Sequence, residues 1–246
     1  MTPPPSPASE VVGTTADAAA KRAYVRGMFT AIAPRYDFLN HLLSFNVDRR
    51  WRRRAVERLG WEQKPDGVFL DLCAGTLDLA ATLARAPGFR GTVVGADFVV
   101  PMLARGRDKA HGLAPVGADA LALPFADHSF DGAMVAFGIR NLADLTKGLA
   151  EVARVLKPGA RFVILEFATP RFAPLRAAYL FYFRRVLPAI GRAVSKHRDA
   201  YSYLPESVLA FPEPEALAER MTHAGFRDVR FDLLTGGICA VHHGSR

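Results

Sequence analysis

Asp97 closes the apolar run VVGAD about twenty residues after the glycine turn of VFLDLCAGTLDLA, the spacing of a nucleotide-binding βα unit. A carboxylate in that place can accept hydrogen bonds from both hydroxyls of a ribose. Asp71 lies at the end of the first run, and Gly75, which has no side chain, lets the backbone approach a ligand just before Thr76. The turn reads A-G-T-L, without the spaced glycines of a pyrophosphate-binding loop, G-x-G-x-x-G. The expected ligand is therefore a nucleoside without phosphates, of which S-adenosylmethionine is the commonest cofactor.

The elements that must hold these residues alternate as a doubly wound sheet requires. Helical periodicity runs over residues 21–44 and 47–59, ahead of a first strand that ends at 71–73. A helix over 77–85, a strand over 91–97, a helix over 101–111 and a short strand over 116–120 follow. Residues 123–131 form a loop into a fourth strand at 132–137. A helix over 142–156, stopped by Lys157, Pro158 and Gly159, leads to a fifth strand at 160–167. A helix at 214–224 and strands at 226–234 and 237–243 complete the pattern.

The 246 residues, half of them hydrophobic, are enough for one sizeable core. Residues 1–20 are rich in proline, alanine and small polar residues and read as a disordered tail without the features of a signal peptide. The expected location is cytoplasmic. Two cysteines, Cys73 and Cys239, provide neither a disulfide framework nor metal-ligand spacing, so no metal is expected. The net charge of +8 gathers in two stretches. RRWRRR at 49–54 suits phosphates, an anionic lipid surface or a solvated helix face. The apolar and basic stretch at 172–196 suits an amphipathic helix against a membrane or around an apolar substrate.

Taken in order, LDLCAGT, VVGADF, GADALALPFADHSFDGAMVAFGIRN, EVARVLKPGARFVILEF and YSYLPESVLAFPEPEAL resemble the menaquinone and ubiquinone biosynthesis C-methyltransferase family over nearly the whole chain. The segments FTAIAPRYDFLN, FGIRN and YSYLPESVLAF narrow the resemblance beyond class I methyltransferases in general. The resemblance implies a three-layer α/β, Rossmann-like fold with a mostly parallel seven-stranded sheet and extra N-terminal helices. Its expected organisation is one domain over 21–246, with a helical lid at 21–60 and an insertion facing substrate or membrane at 171–205.

By the same resemblance, Asp71, Gly75, Thr76, Asp97 and Phe98 hold S-adenosylmethionine, with Asp119 and Ala120 beside the adenine. Leu77 departs from the family pattern, where glycine or alanine is more usual. A leucine there either turns into the following helix or crowds the cofactor, and a modest weakening of affinity is expected. The implied reaction is C-methylation of demethylmenaquinol, with a methoxy-benzoquinol as the alternative acceptor. A neutral ring carbon is a weak nucleophile until an adjacent hydroxyl is deprotonated or polarised, so the quinol is the expected form. Arg140, beside Asn141, is the expected oxyanion holder because a guanidinium stays charged. His197, Tyr201 and Asp37 are of the right type to act as base. Tyr36, Asn40, Tyr201 and Tyr203 are expected around the substrate, and a peripheral contact with anionic membrane and a homodimer stay open. The residues offer no RNA-binding module and no dehydrogenase glycines, whereas a silent subunit of a quinone-biosynthetic assembly stays as a non-enzymatic alternative.

Overall fold

In a computed structural model, residues 18–37, 44, 46–186 and 198–246 are described. Helix α1 (Ala18–Ile32) passes into a 3-10 turn at Ala33–Arg35. Pro34 explains the change, since it lacks the N–H that an α-helix would use and disfavours helical backbone at the residue before it. Helix α2 (Asp48–Leu59) buries Trp51, Ala55, Val56 and Leu59 and ends on Gly60 in the left-handed region, φ 71°. Its arginine run is split by the helix period. Arg52 is buried between Asp48 and Asp78, Arg54 and Arg58 meet Asp232, and Arg49, Arg50 and Arg53 face solvent.

Five strands run parallel: β1 (Val68–Leu72), β2 (Thr92–Asp97), β3 (Leu113–Gly117), β4 (Phe130–Ala136) and β5 (Leu156–Phe167). Then β6 (Arg227–Leu234) and β7 (Cys239–Ser245) form a hairpin, with β7 antiparallel to β5. The strand order is β3-β2-β1-β4-β5-β7-β6. The expected seven-stranded, mostly parallel sheet is therefore present, with β3 and β6 at its edges. The crossovers are α3 (Asp78–Ala84), α4 (Val100–Gly106) and α5 (Leu145–Val155), while α6 (Ala173–Phe181), α7 (Arg198–Ala210) and α8 (Pro214–His223) lie between β5 and β6.

Alternation along the central strands sorts side chains onto two faces. Leu70, Val135, Phe162 and Ile164 join the core shared with α5 and α8. Phe69, Met134, Val163 and Leu165 join the core shared with α2 and α3. Several boundaries depart from the sequence pattern, the helix expected over 101–111 ending at Gly106 and the fourth strand starting at Phe130 among them. The third strand ends at Gly117, so Asp119 lies beyond it in a turn rather than at its tip. The expected stop at Lys157, Pro158 and Gly159 is instead the start of β5. Pairing with β4 jumps from Phe130–Leu156 to Gly132–Arg161, and this irregularity absorbs the proline and the left-handed Gly159.

Candidate active site

The strand order reverses between β1 and β4, and a cleft opens there at the carboxyl ends of β1, β2 and β4, where open α/β sheets bind ligands. Gly75, Asp97, Phe98 and Met102 line one side of it and Phe137, Gly138 and Asn141 the other. Phe29 and Tyr36 from the N-terminal segment also line it. Three non-glycine residues at its base, Cys73, Leu77 and Phe137, have φ of 50°, 63° and 58°. Left-handed backbone without glycine is uncommon and persists where surrounding structure over-determines it, as it often does at binding sites.

Asp97 holds the glycine turn in place. Its Oδ2 accepts from Gly75 N at 2.8 Å and its Oδ1 from Val99 N at 2.7 Å. Burial pushes its carboxyl above the ordinary carboxylate range, and these two N–H groups partly oppose that. Each carboxylate oxygen keeps a second lone pair for a ligand hydroxyl. A Cβ placed on Gly75 would lie 3.6 Å from Met102 Cε and 3.9 Å from Tyr36, ordinary contact distances, so these two side chains close on the turn from the cleft. A carboxylate for the ribose, apolar Phe98, Val99 and Met102 for a base and a glycine turn beside them suit a nucleoside cofactor.

Several expected ligand contacts prove to have structural partners. Asp71 is buried under the turn, where its Oδ2 accepts from Ala80 N at 2.9 Å and so caps the first turn of α3. Burial pushes its carboxyl up to about 7. Thr76 is also buried, and its hydroxyl donates to Asp37 of the N-terminal segment. Lys109 bridges that carboxylate, at 2.7 Å, to Asp78. Asp119 caps its own turn, with Leu121 N donating to Oδ1 at 3.0 Å, and pairs with Arg22 of α1 at 2.5 Å. Ala120 packs in the core. None of these four lines the cleft, because each polar group is used by nearby backbone or by α1 and its continuation.

Arg140, expected to hold an oxyanion, is buried among protein partners. Its side chain is 7% exposed, and Nη1 donates to Glu166 Oε1 at 2.8 Å and to the carbonyl of Phe137. Nε donates to Ser207 Oγ at 3.3 Å, and the guanidinium lies 5.6 Å from the Phe167 ring centroid. It therefore sits beneath the cleft, with Nη1 and Nε held by protein groups. Asn141, one residue on in the 3-10 turn Ile139–Asn141, does line the cleft. Its Oδ1 accepts from Tyr203 OH at 3.0 Å, leaving the amide NH₂ as a donor. Asn40 and His197 lie outside the described residues, as does the side chain of Tyr201.

Leu77 does not crowd the cleft. Its side chain is fully buried with the α2 and α3 core, over Gly95 and Gly106, where a Cβ on either glycine would collide with it. The expectation of weakened cofactor affinity therefore loses its steric basis. Sequence reasoning also missed Glu166 and Lys109. For Glu166 a signal existed, since a lone carboxylate inside the apolar strand VILEF needs a buried partner.

The model of the ubiE/COQ5 methyltransferase family matches residues 17–246. The chain is 55% identical to a demethylmenaquinone methyltransferase of Thermus thermophilus over 224 residues, covering 89% of this chain and 100% of that one. It is 48% identical to the ubiquinone/menaquinone biosynthesis C-methyltransferase UbiE of Geobacter sulfurreducens, covering 90% and 88%. Among solved structures, a SAM-dependent methyltransferase from Thermotoga maritima superposes with a TM-score of 0.61 at 19% identity, covering 89% of this chain and 99% of that one, which speaks for the fold. With the cleft at the strand-order reversal and a family match over nearly its whole length, the chain belongs to the ubiE/COQ5 methyltransferase family.

Proposed function

We propose that this protein methylates a ring carbon of a polyprenylated demethylmenaquinol, using S-adenosylmethionine. The observation that carries the reading is one cleft with Gly75 and Asp97 on one wall and the amide donor of Asn141 on the other. The Thermus relative, matched along its whole length, carries a name for this reaction. Bound S-adenosylmethionine supplies an electrophilic sulfonium methyl. Asp97 and the Gly75 turn orient the nucleoside, and Asn141 donates to a quinol oxygen, stabilising the phenolate left as its proton passes to water. The phenolate pushes density onto the neighbouring ring carbon, which takes the methyl as its C–S bond breaks and then loses its own proton to water. Phe29 and Tyr36 cover the cleft and limit water.

The polyprenyl tail suggests a lipid-side surface. No helix among the described residues is long and apolar enough to cross a membrane. Phe172 and Phe181 are nevertheless 69% and 64% exposed around α6, with Arg176, Arg184 and Arg185 also exposed. Apolar rings flanked by cations fit peripheral contact with an anionic bilayer, on its cytoplasmic face.

The test is methyl transfer by purified protein from labelled S-adenosylmethionine to demethylmenaquinol and, separately, to a polyprenyl methoxy-benzoquinol. Turnover of the naphthoquinol is expected. Preference for the benzoquinol would establish the second acceptor, which the name of the Geobacter relative includes, and labelling of neither would sink the proposal.

A further inference from the structure

Glu166 is a carboxylate buried beside the site, and the chemistry above does not use it. It lies next to last in β5, 1% exposed, where an unpaired carboxylate would be costly. Its Oε1 accepts from Arg140 Nη1 at 2.8 Å and from Phe167 N at 2.9 Å, and its Oε2 faces the backbone N of Arg140 at 3.5 Å. Glu166 therefore grips both the side chain and the backbone of one residue. Arg140 in turn holds the carbonyl of Phe137, a left-handed residue at the end of β4. The 3-10 turn Ile139–Asn141 starts two residues later; Ile139 packs in the core, and the turn's own backbone bonds run from Asn141 N to Gly138 O at 3.0 Å and from Leu142 N to Ile139 O at 3.2 Å.

The same device reaches α7. Arg140 Nε meets Ser207 Oγ at 3.3 Å, and Tyr203 OH meets Asn141 Oδ1 at 3.0 Å. Tyr203 and Ser207 are four residues apart and share one helix face. Consecutive residues of the turn are thus tied to consecutive turns of one helix, with Glu166 anchoring the assembly to the sheet.

We propose that Glu166 is a positioning residue for methyl transfer: by holding Arg140 beneath the cleft, it sets the turn that delivers the Asn141 amide to the acceptor. The proposal rests on the reading of the cleft as a quinol methylation site. It gives the Arg140–Glu166 pair a role through geometry, since neither side chain lines the cleft. Cofactor binding depends on the opposite wall, at Gly75 and Asp97, and stays outside this role.

The experiment compares wild type with Glu166→Gln, Glu166→Asp, Arg140→Gln and the Arg140→Gln/Glu166→Gln double variant. It measures kcat and KM for demethylmenaquinol together with S-adenosylmethionine affinity and stoichiometry by calorimetry. Glu166→Gln should lower kcat about tenfold to a hundredfold, as a misplacement of about 1 Å does, while S-adenosylmethionine binds at full stoichiometry with Kd within about twofold of wild type. Glu166→Asp should recover part of kcat. The double variant should be no slower than the slower single variant, because the two residues act as one unit.

A kcat for Glu166→Gln within about twofold of wild type would overturn the proposal. So would multiplying losses in the double variant, or a fall in binding stoichiometry that matches the fall in kcat. If Glu166→Gln does not fold, the double variant, which leaves no unpaired buried charge, carries the test, and a wild-type kcat there is refuting. Failure of the function itself would appear separately, as an inactive wild type.

Discussion

Replacing Leu77 by glycine separates a cofactor contact from a packing role. Leu77 is 0% exposed and adopts φ 63°, ψ 25° at the N-terminus of α3. Truncating a fully buried leucine costs about 2–5 kcal/mol in lost transfer energy and cavity formation. Glycine returns about 1–2 kcal/mol by relieving left-handed backbone strain. The net loss is about 1–3 kcal/mol, which for a domain of this size lowers Tm by roughly 2–12 °C. S-adenosylmethionine affinity should stay within about twofold of wild type, since the side chain packs over Gly95 and away from the cleft. Unfolding followed by the fluorescence of Trp51 and Trp61, both buried, gives Tm, and calorimetry gives Kd. A partner variant sharpens the test. Gly95→Ala places a methyl against Leu77 Cδ2 and should destabilise, whereas Gly95→Ala with Leu77→Ala should cost less than the sum of the two. A Tm change below about 2 °C with tighter cofactor binding in Leu77→Gly would refute the packing argument and restore steric crowding.

Two buried groups give opposite pH signatures. The Asp71 carboxyl is pushed up from 3.8 to about 7, so between these values the folded state keeps a proton that the unfolded state releases. Stability from this group falls as pH rises across the window, and the stability difference between wild type and Asp71→Asn should fall with it; a difference flat in pH contradicts the assignment. His242 is pulled down from 6.5 to about 4 by burial, with Nε2 donating to Pro214 O at 2.9 Å. Its contribution is present above pH 6.5 and lost on acidification towards 4, so the difference between wild type and His242→Gln should shrink over that range in urea titrations, and no change would disprove it. At the proposed lipid side, the Phe172→Ser/Phe181→Ser double variant should float less with anionic vesicles while stability changes by no more than about 0.5 kcal/mol per site, as for exposed positions. Undiminished flotation would remove α6 as the contact.

The parts of the site built from local pattern were legible in the sequence. The run before Gly75, the acid at Asp97 and the alternation of elements follow from short-range periodicity, and the sheet carries them as expected. What escaped depends on partners that a motif does not name, several of them distant in sequence. Asp71, Thr76 and Asp119 are the right residue types near the right strand ends, yet each meets an N–H, a carboxylate or a cation that claims it first. Arg140 looked available because exposure cannot be read from a motif. Only the fold brings Glu166 from the neighbouring strand and Ser207 from α7 to its guanidinium. Leu77 was legible as an irregularity, but its direction was not, because that depends on the space left above Gly95 and Gly106.

The two ends of the sheet bear on how the protein behaves when crowded. Strand β3, the outer neighbour of β2, carries Pro115 opposite Gly95, so its free side lacks one main-chain donor. At the other end, β6 carries Arg227, Asp228, Arg230 and Asp232, which makes it a poor template for another chain. Both features oppose edge-to-edge recruitment. A protein with exposed phenylalanines and an apolar, lipid-like substrate is thereby kept from growing its sheet into an aggregate, and sticky contacts are left to the helices beyond β5.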